Sequence, residues 1–403
     1  MSTATVPPAE ALAALSIVAD GDAYVVGDPR TRTFVAVPAV GAHVLEWLRA
    51  GDDVVTAARR AEELVGEPVD VADFLGVLVE QGVLTHQAPA APSGVSPRWQ
   101  RLGAAVFGRT GWSVQLALTA LGVVLAVRDP SLRPRGSHLV VAGSPLASLL
   151  VGMAAAVLCT VLHEGGHVLA AAARGVPTRL SVGRRLWFLT AQADLTGLWT
   201  LPRLQRLPPL LAGLSVDAAV TGGLVAVEAS GVCGGTAAEV LRATVALQLA
   251  AMVFQGAVFL RTDLYAVLAT LSGCRTLWAL KSALLRQAVG RAGASDLEVL
   301  AAAGRRERAW ARAYLLLYVP GTLAATWYLA AVSLPGTAHV VRLTGDGLAP
   351  LDLGSGRTWQ SLAVVSLVVV PNLLTVGAAL AAQLRSAGRL RRADEVDPAA
   401  VQD

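Results

Sequence analysis

The segment Cys159-Thr160-Val161-Leu162-His163-Glu164-Gly165-Gly166-His167 carries the pattern H-E-x-x-H inside an apolar run. On an α-helix, residues four apart share one face, so His163 and His167 would lie one turn apart on the same side. Two imidazoles at this spacing can ligate a single Zn²⁺, and Glu164 lies beside them to act on a water molecule. The segment therefore predicts a zinc site on a helix.

The run that leads into this segment is long enough to cross a bilayer. Residues 144–162 carry no charge, and about 20 apolar residues span the hydrocarbon core. Two histidines and a glutamate then follow at membrane depth, where ionisable groups are costly and usually functional. A chance string and a structural pair of histidines facing a polar cavity are the alternatives. The apolar context favours the zinc site over both.

The composition is that of a membrane protein. Hydrophobic residues make up 54% of the 403 residues, and the mean hydropathy is +0.56. The first ten residues lack a basic segment and an apolar core, so no cleaved signal peptide is expected. Three cysteines do not suggest a disulfide framework, and Cys159 is interpreted as a small buried packing residue. The net charge of +4 comes almost entirely from arginine, since Lys281 is the one lysine.

Six apolar runs predict membrane-spanning helices. They cover residues 112–127, 144 to the stretch 174–177, 210–227, 243–260, 315–334 and 361–384. We therefore expect a mainly α membrane domain at 111–384 and a polar tail at 385–403. The arginines that flank these runs gather on one side, which predicts a multi-pass bacterial membrane protein with both termini in the cytoplasm. Arg128, Arg133 and Arg135 fall on the predicted outer face and are unexplained by this topology.

Residues 1–87 predict a small soluble α+β domain. Two β-rich runs, 22–26 and 33–37, are followed by helical patterns near 40–48, 53–64 and 69–81, with Val83-Leu84 as a possible final strand. The Pro-rich stretch within residues 88–110 is interpreted as a linker.

This order of elements resembles the PqqD-like domain, a winged-helix fold that binds leader peptides of ribosomally made peptides. The resemblance rests on the 28–38 hairpin, the 41–48 helix and the 70–84 segment. It implies a leader peptide that adds as a strand beside Thr33–Val37 and rests on the helix Val71–Gln81. A DNA-binding winged helix is the alternative, but Arg59-Arg60 is the main basic feature of these helices, so no nucleic-acid partner is expected.

Residues 180–196 predict a β-hairpin after the second span, because apolar residues alternate with Gly and Arg there. A strand edge beside a protease site can hold a substrate extended. A plain amphipathic loop on the membrane surface is the alternative. Asp194 is assigned a role in the hairpin or in capping rather than in metal ligation.

A tetrahedral zinc site needs a third protein ligand besides the two histidines and a water. Asp263 lies between the apolar runs that end at Leu260 and resume at Leu264, and we assign it as the ligand because it is the carboxylate deepest in an apolar run. The alternative is an Arg261–Asp263 charge pair at the membrane edge.

The motif at His163–His167, the hairpin and a later span with Asp263 resemble the site-2 protease (M50) family of intramembrane zinc metallopeptidases, over residues 144–271. In that family an Asn and a Pro precede the later ligand; here Gln255 is the nearby polar residue and the Pro is absent. The resemblance implies Zn²⁺ as cofactor, metal ligands His163, His167 and Asp263, and Glu164 as the catalytic acid and base.

Three functions follow from these features. The first is a zinc metalloendopeptidase that matures or trims a leader-bearing peptide captured by the N-terminal domain. The second is a regulatory protease that releases a membrane-anchored signalling protein. The third is a zinc-containing, non-catalytic subunit of a peptide export or immunity system. The expected partners are a peptide or membrane-protein substrate and the lipid bilayer.

Overall fold

The computed structural model describes residues 8–84, 94–185, 188–274, 276–328 and 352–364, with a few isolated positions beyond Tyr328. The chain is mostly helical, with two small antiparallel sheets. The helices are α1 Ala9–Ala14, α2 Ala39–Ala50, α3 Val54–Val65, α4 Val71–Glu80, α5 Pro97–Phe107, α6 Arg109–Arg128, α7 Pro145–Ala172, α8 Leu207–Ala229, α9 Gly235–Gln255, α10 Asp263–Ser272, α11 Leu277–Ala288, α12 Ala294–Ala302, α13 Arg305–Tyr328 and α14 Gly356–Val364. The strands are β1 Ser16–Asp20, β2 Ala23–Asp28, β3 Thr33–Val37, β4 Arg179–Arg185 and β5 Phe188–Asp194.

Residues 8–84 form an N-terminal module with its own apolar core. Strands β1, β2 and β3 pair antiparallel in chain order, and α1 to α4 pack against the sheet around Val26, Leu45 and Leu78. Helices α3 and α4 begin where aspartates accept backbone N–H groups, Asp53 from Thr56 at 2.7 Å and Asp70 from Asp73 at 2.9 Å.

Three details of the module differ from the sequence expectation. Helix α1 and strand β1 had not been predicted; in β1 the sequence Ser-Ile-Val-Ala-Asp does not alternate apolar with polar residues. The expected final strand at Val83-Leu84 is wrong: both residues are buried in a turn whose N–H groups bind the carbonyl of Leu78. Their apolar character therefore reflects core packing rather than strand pairing.

Four helices among the described residues are long and apolar enough to cross a bilayer: α6, α7, α8, with the turn before it, and α9. They overlap the first four predicted runs, although the fourth helix spans Gly235–Gln255 where 243–260 was predicted. Large apolar side chains such as Val157, Leu158 and Val161 are exposed on α7, as lipid-facing residues would be. The fifth predicted run overlaps α13, which is not one of the four and contains Pro320. Most of the sixth run and the tail 385–403 lie outside the described residues.

Close helix packing places α8 at the centre of the bundle of long apolar helices, called the membrane domain from here on. A Cβ atom on Gly122 of α6 would lie 2.4 Å from Gly222 Cα of α8, and one on Gly222 would lie 2.1 Å from Leu118 O. The two backbones can approach this closely because both residues lack side chains. Helix α8 also packs on α7 and α9, so it can line a site carried by α7.

The segment 88–110 is not a linker throughout. Residues 97–107 form α5, which packs on the C-terminal half of α7. A Cβ on Gly103 would lie 2.3 Å from Leu169 O, and Phe107 is buried. The Pro-rich stretch suggested a linker because proline is common in linkers, but Pro97 stands at the first position of the helix, where proline is tolerated.

The arginines after α6 are explained by the end of that helix. Arg133 donates from Nε to Ala126 O at 2.8 Å and from Nη2 to Val127 O at 3.3 Å, and Arg135 donates to Pro130 O at 3.5 Å. Cations are favourable beside the unpaired carbonyls at a helix C-terminus. Arg133 and Arg135 therefore contribute to local structure, whereas Arg128, the last residue of α6, stays unexplained by the predicted topology.

Helices α10 to α13 follow α9 in the chain and pack against one another around a shared apolar cluster. The ammonium group of Lys281 lies 3.5 Å from the ring centroid of Trp278 and 3.7 Å from that of Tyr318, which joins α11 to α13. Burial lowers the pKa of Lys281 to about 8, with a further lowering by Arg286 and Arg261.

Candidate metal centre

Three side chains from two helices converge on one point. His163 Nε2 lies 2.8 Å from Asp263 Oδ2, His167 Nε2 lies 3.2 Å from the same oxygen, and the two Nε2 atoms are 3.2 Å apart. The histidines come from α7, and Asp263 is the first residue of α10. Within the described part of the chain, they form the one group of potential ligands whose donor atoms are this close.

This arrangement fits a small divalent cation. Ligand atoms around tetrahedral zinc, with bonds of about 2.0–2.1 Å, are about 3.3 Å apart. Two of the three distances between the donor atoms of His163, His167 and Asp263 are 3.2 Å, just below that value, and the third, from His163 to Asp263, is shorter at 2.8 Å. Two imidazoles and one carboxylate are a ligand set found in catalytic zinc sites, which keep a further position open.

Gly213 on α8 leaves space beside the donor atoms. A Cβ atom there would lie 2.6 Å from Nε2 of both His163 and His167. Any side chain at this position would therefore intrude on the point where the three ligands converge. Gly166, next to His167, allows α7 and α8 to pack closely: a Cβ atom on Gly166 would lie 3.1 Å from Ala212 O. The Cβ position of Gly165 is open.

The remaining ring nitrogens are held by α8. His163 Nδ1 lies 2.7 Å from Asp217 Oδ2, and His167 Nδ1 lies 2.7 Å from Pro209 O. Both acceptors require a proton on Nδ1, which leaves Nε2 as the ligating atom of each ring. Gln248 of α9 donates to the other oxygen of Asp217 at 2.6 Å, so that carboxylate is itself fixed.

Asp217 was missed at the sequence level. Asp263 was predicted as the metal ligand because it was taken as the carboxylate deepest in an apolar run. That premise is wrong, because Asp217 lies within the third predicted span and is only 3% exposed. A carboxylate in the middle of a span is itself a signal of function. Which histidine it would meet depends on how α7 and α8 pack.

Asp263 is positioned by the loop between α9 and α10. Its N–H donates to Gln255 Oε1 at 3.3 Å, and Thr262 Oγ1 donates to Gln255 O at 2.7 Å. Arg261, just before, has a left-handed backbone with φ of 58°, an uncommon conformation for a residue with a side chain. Tyr314 of α13 holds the loop by donating to Val258 O at 3.0 Å.

The alternative pairing of Asp263 with Arg261 does not occur among the described ion pairs. Asp263 instead faces both histidines, while the guanidinium of Arg261 lies over Trp278, 5.2 Å from the ring centroid. Gln255 has a positioning role: besides binding Asp263 N, its Nε2 lies 3.4 Å from His163 Nε2.

Glu164 faces a cleft of about 290 Å³ beside the three ligands. The cleft, as named from here on, is lined by Glu164, His167, Asp263, Ser181 and residues 192–196 of strand β5 and the following turn. Glu164 Oε2 accepts the backbone N–H of Ala193 at 2.5 Å. The hairpin β4–β5, which matches the predicted one, is thereby joined to the helix that carries the histidines.

Asp194 at the end of β5 has the structural role expected for it. Its Oδ1 accepts the N–H of Thr196 at 3.0 Å, and Arg32 of the N-terminal module donates to Oδ2. Burial opposes ionisation of Asp194, but these two interactions outweigh it and keep its pKa below the ordinary value. Cys159 is buried, as expected of a packing residue.

No family model matches the chain, and comparisons with curated proteins and with solved structures gave no match. The function therefore has to be argued from the site itself.

Replacing Asp217 with Asn should weaken zinc binding by roughly 10–100-fold, the usual effect of losing a partner behind a ligating histidine. The neutral amide no longer supports the basicity and orientation of the His163 ring. Competition with a chromogenic chelator measures the affinity. Glu228→Gln is the matched control, because it removes the same charge from α8 where the carboxylate pairs with Arg242. Equal zinc affinity in the Asp217→Asn variant and the control would contradict the assignment.

Replacing Gly213 with Ala should lower zinc affinity by more than about tenfold, because the added methyl group would occupy the space in front of both Nε2 atoms. The control is Gly223→Ala in the same helix, where a Cβ meets no atom within 4 Å. Zinc content by atomic emission, with helicity by circular dichroism, separates loss of the site from loss of the fold. Unchanged zinc content in the Gly213→Ala variant would show that the metal lies elsewhere.

Proposed function

We propose that this chain is a zinc metalloendopeptidase of the membrane, which cleaves a leader-bearing peptide captured by the N-terminal module. The observation that supports it best is the convergence of His163, His167 and Asp263 beside Glu164 in one cleft. A metal-binding triad with a carboxylate in the same cleft is the arrangement that hydrolysis by a zinc-activated water needs.

The metal, when bound by the three ligands, supplies Lewis-acid polarisation of a carbonyl and lowers the pKa of water to about 7. The other steps belong to the chain. Glu164 Oε2 is held by the N–H of Ala193, which fixes the carboxylate against the wall of the cleft. Its other oxygen, Oε1, accepts the proton of the attacking water and then delivers it to the nitrogen of the departing amine.

The hairpin favours an extended substrate. Helical peptide bonds are protected by their internal hydrogen bonds, so a substrate helix must unwind before it is cut. Strand β5 is paired with β4 on one edge, and its residues 192–194 line the cleft on the side of Glu164. A segment that lies along this edge is presented in extended form to Glu164 and the metal ligands.

The N-terminal module is proposed to act as a PqqD-like peptide-recognition domain. Its β3 is an outer strand of the sheet, and Phe74 of α4 belongs to the same apolar cluster as Val35 and Val37 of β3. A leader would add as a strand to the edge of β3 and rest on α4, with backbone hydrogen bonds as the source of affinity.

The catalytic prediction concerns Glu164. With peptides from a proteome digest and zinc-loaded protein in liposomes, mass spectrometry should detect new cleavage products for the wild type. Glu164→Gln should reduce their rate of formation by about 10²–10⁴-fold, the contribution of general acid–base catalysis, while zinc content stays near one per chain.

His163→Ala and Asp263→Ala should lose both zinc and products, and Glu228→Gln should retain both. Products that form equally well with Glu164→Gln would overturn the proposed mechanism. If the wild type forms none, the non-catalytic function takes precedence.

The topology is proposed as six spans with both termini in the cytoplasm, from the arginines that flank the runs. In a variant without native cysteines, Ser96→Cys should react with a membrane-impermeant maleimide only after permeabilisation. Ser230→Cys, at the exposed C-terminus of α8, should react in intact cells. The opposite labelling pattern would invert this topology.

A further inference from the structure

The N-terminal module is docked on the membrane domain rather than only tethered to it. Two Arg–Asp ion pairs join them, and the module supplies the arginine of one and the aspartate of the other. Arg32 of the module pairs with Asp194 of the hairpin, and Asp20 of the module pairs with Arg206, just before α8, at 3.2 Å. Asp20 and Arg206 are 5% and 4% exposed, and the Arg206 guanidinium lies 4.5 Å from the ring centroid of Trp199. Two pairs at separate points fix orientation as well as position.

The docking contacts of the module's sheet are made by β1 and β2. Both strands contact the turn Thr196–Thr200, which follows β5. At the opposite edge, β3 pairs with β2 alone among the described residues. The open edge of β3 is therefore the one available to an added strand.

Arg32 brings one particular end of β3 to the cleft. It is the last residue of the turn between β2 and β3, directly before Thr33, and its partner Asp194 lines the cleft. The turn is held by Asp28, which accepts Arg30 Nη2 at 2.7 Å, and by the bond from Arg32 N to Asp28 O at 2.8 Å. The start of β3 is thus fixed at the rim of the cleft, and the strand runs away from it.

We propose that the docked module is a directional guide: a peptide that binds the edge of β3 enters the cleft with its C-terminal continuation, so that cleavage falls after the recognition segment. This rests on the proposed function. The sheet is antiparallel throughout, and antiparallel addition is the more stable mode. A strand antiparallel to β3 ends, at its C-terminus, beside Thr33 and the Arg32–Asp194 pair. The preferred substrate therefore carries its recognition segment before the scissile bond, as a leader does.

Within this guide, Arg32 and Asp194 are positioning residues. They touch no reacting atom, and they are half-buried, which makes their pair a determinant of alignment more than of affinity. The buried Asp20–Arg206 pair is the anchor. Reversing the charge at position 32 should leave the module folded and the metal bound, but it should misalign the start of β3.

The experiment uses full-length protein in liposomes and a probe peptide selected from a displayed 20-residue library for binding to the Glu164→Gln variant. The probe is joined to one fluorogenic segment in both orders, probe first and probe last. We expect the wild type to cut the probe-first order with a KM at least tenfold lower. Arg32→Asp should abolish this preference with little change in kcat, and Arg32→Asp with Asp194→Arg should restore it. Arg59→Asp, at an exposed site in α3 of the same module, should keep it.

Hydrogen exchange of residues 188–194 reports docking without turnover. It should be faster in Arg32→Asp than in the wild type, and unchanged in Arg59→Asp. If the wild type cuts both orders equally, or Arg32→Asp keeps the preference, the guide is refuted while the proposed function stands. If zinc-loaded protein cuts neither order, the proposed function fails, and the guide fails with it.

Discussion

The structure depends on burying ionisable groups at the end of an apolar helix without leaving them unpartnered. His163 and His167 are 8% and 1% exposed, and polar groups in such surroundings are tolerated only when they are bonded. Each ring nitrogen has a partner: Asp217 and Pro209 O on the Nδ1 side, Asp263 on the Nε2 side. Helices α7, α8 and α10 pack together at the point where these partners of the ring nitrogens are supplied.

Helix α8 supplies most of the partners of the histidine rings. It supplies Asp217 and Pro209 O behind the rings and the empty space at Gly213 in front of them, and a close contact at Ala212 opposite Gly166. Its approach to α6 at Gly222 holds it in the centre of the bundle. A single helix thus sets both the tautomer of the histidines and the space between their donor atoms, which couples the stability of the bundle to the chemistry of the site.

The N-terminal module is joined to the site through the hairpin. Ala193 of β5 binds Glu164, and the next residue, Asp194, binds Arg32 of the N-terminal module. Ala193 uses its backbone N–H, which lies in the plane of the hairpin, and Asp194 uses its side chain, which stands out from that plane, so β5 can contact α7 and the module at once. Strand β5 therefore contributes both to the wall of the cleft and to the docking surface, and a change in docking is expected to move the wall.

Local patterns in the sequence determined the H-E-x-x-H helix, the four apolar spans, the β4–β5 hairpin and the strand–helix order of the N-terminal module, because hydrophobic periodicity and turn residues act over a few positions. The same patterns missed β1, took Val83-Leu84 for a strand and read α5 as part of a linker, since short runs do not separate core packing from pairing. Asp263 was predicted only because it interrupts an apolar run. The roles of Asp217, Gly213 and the Arg32–Asp194 pair were decided by tertiary structure alone: their partners lie on other elements, and only the packed chain brings those atoms together.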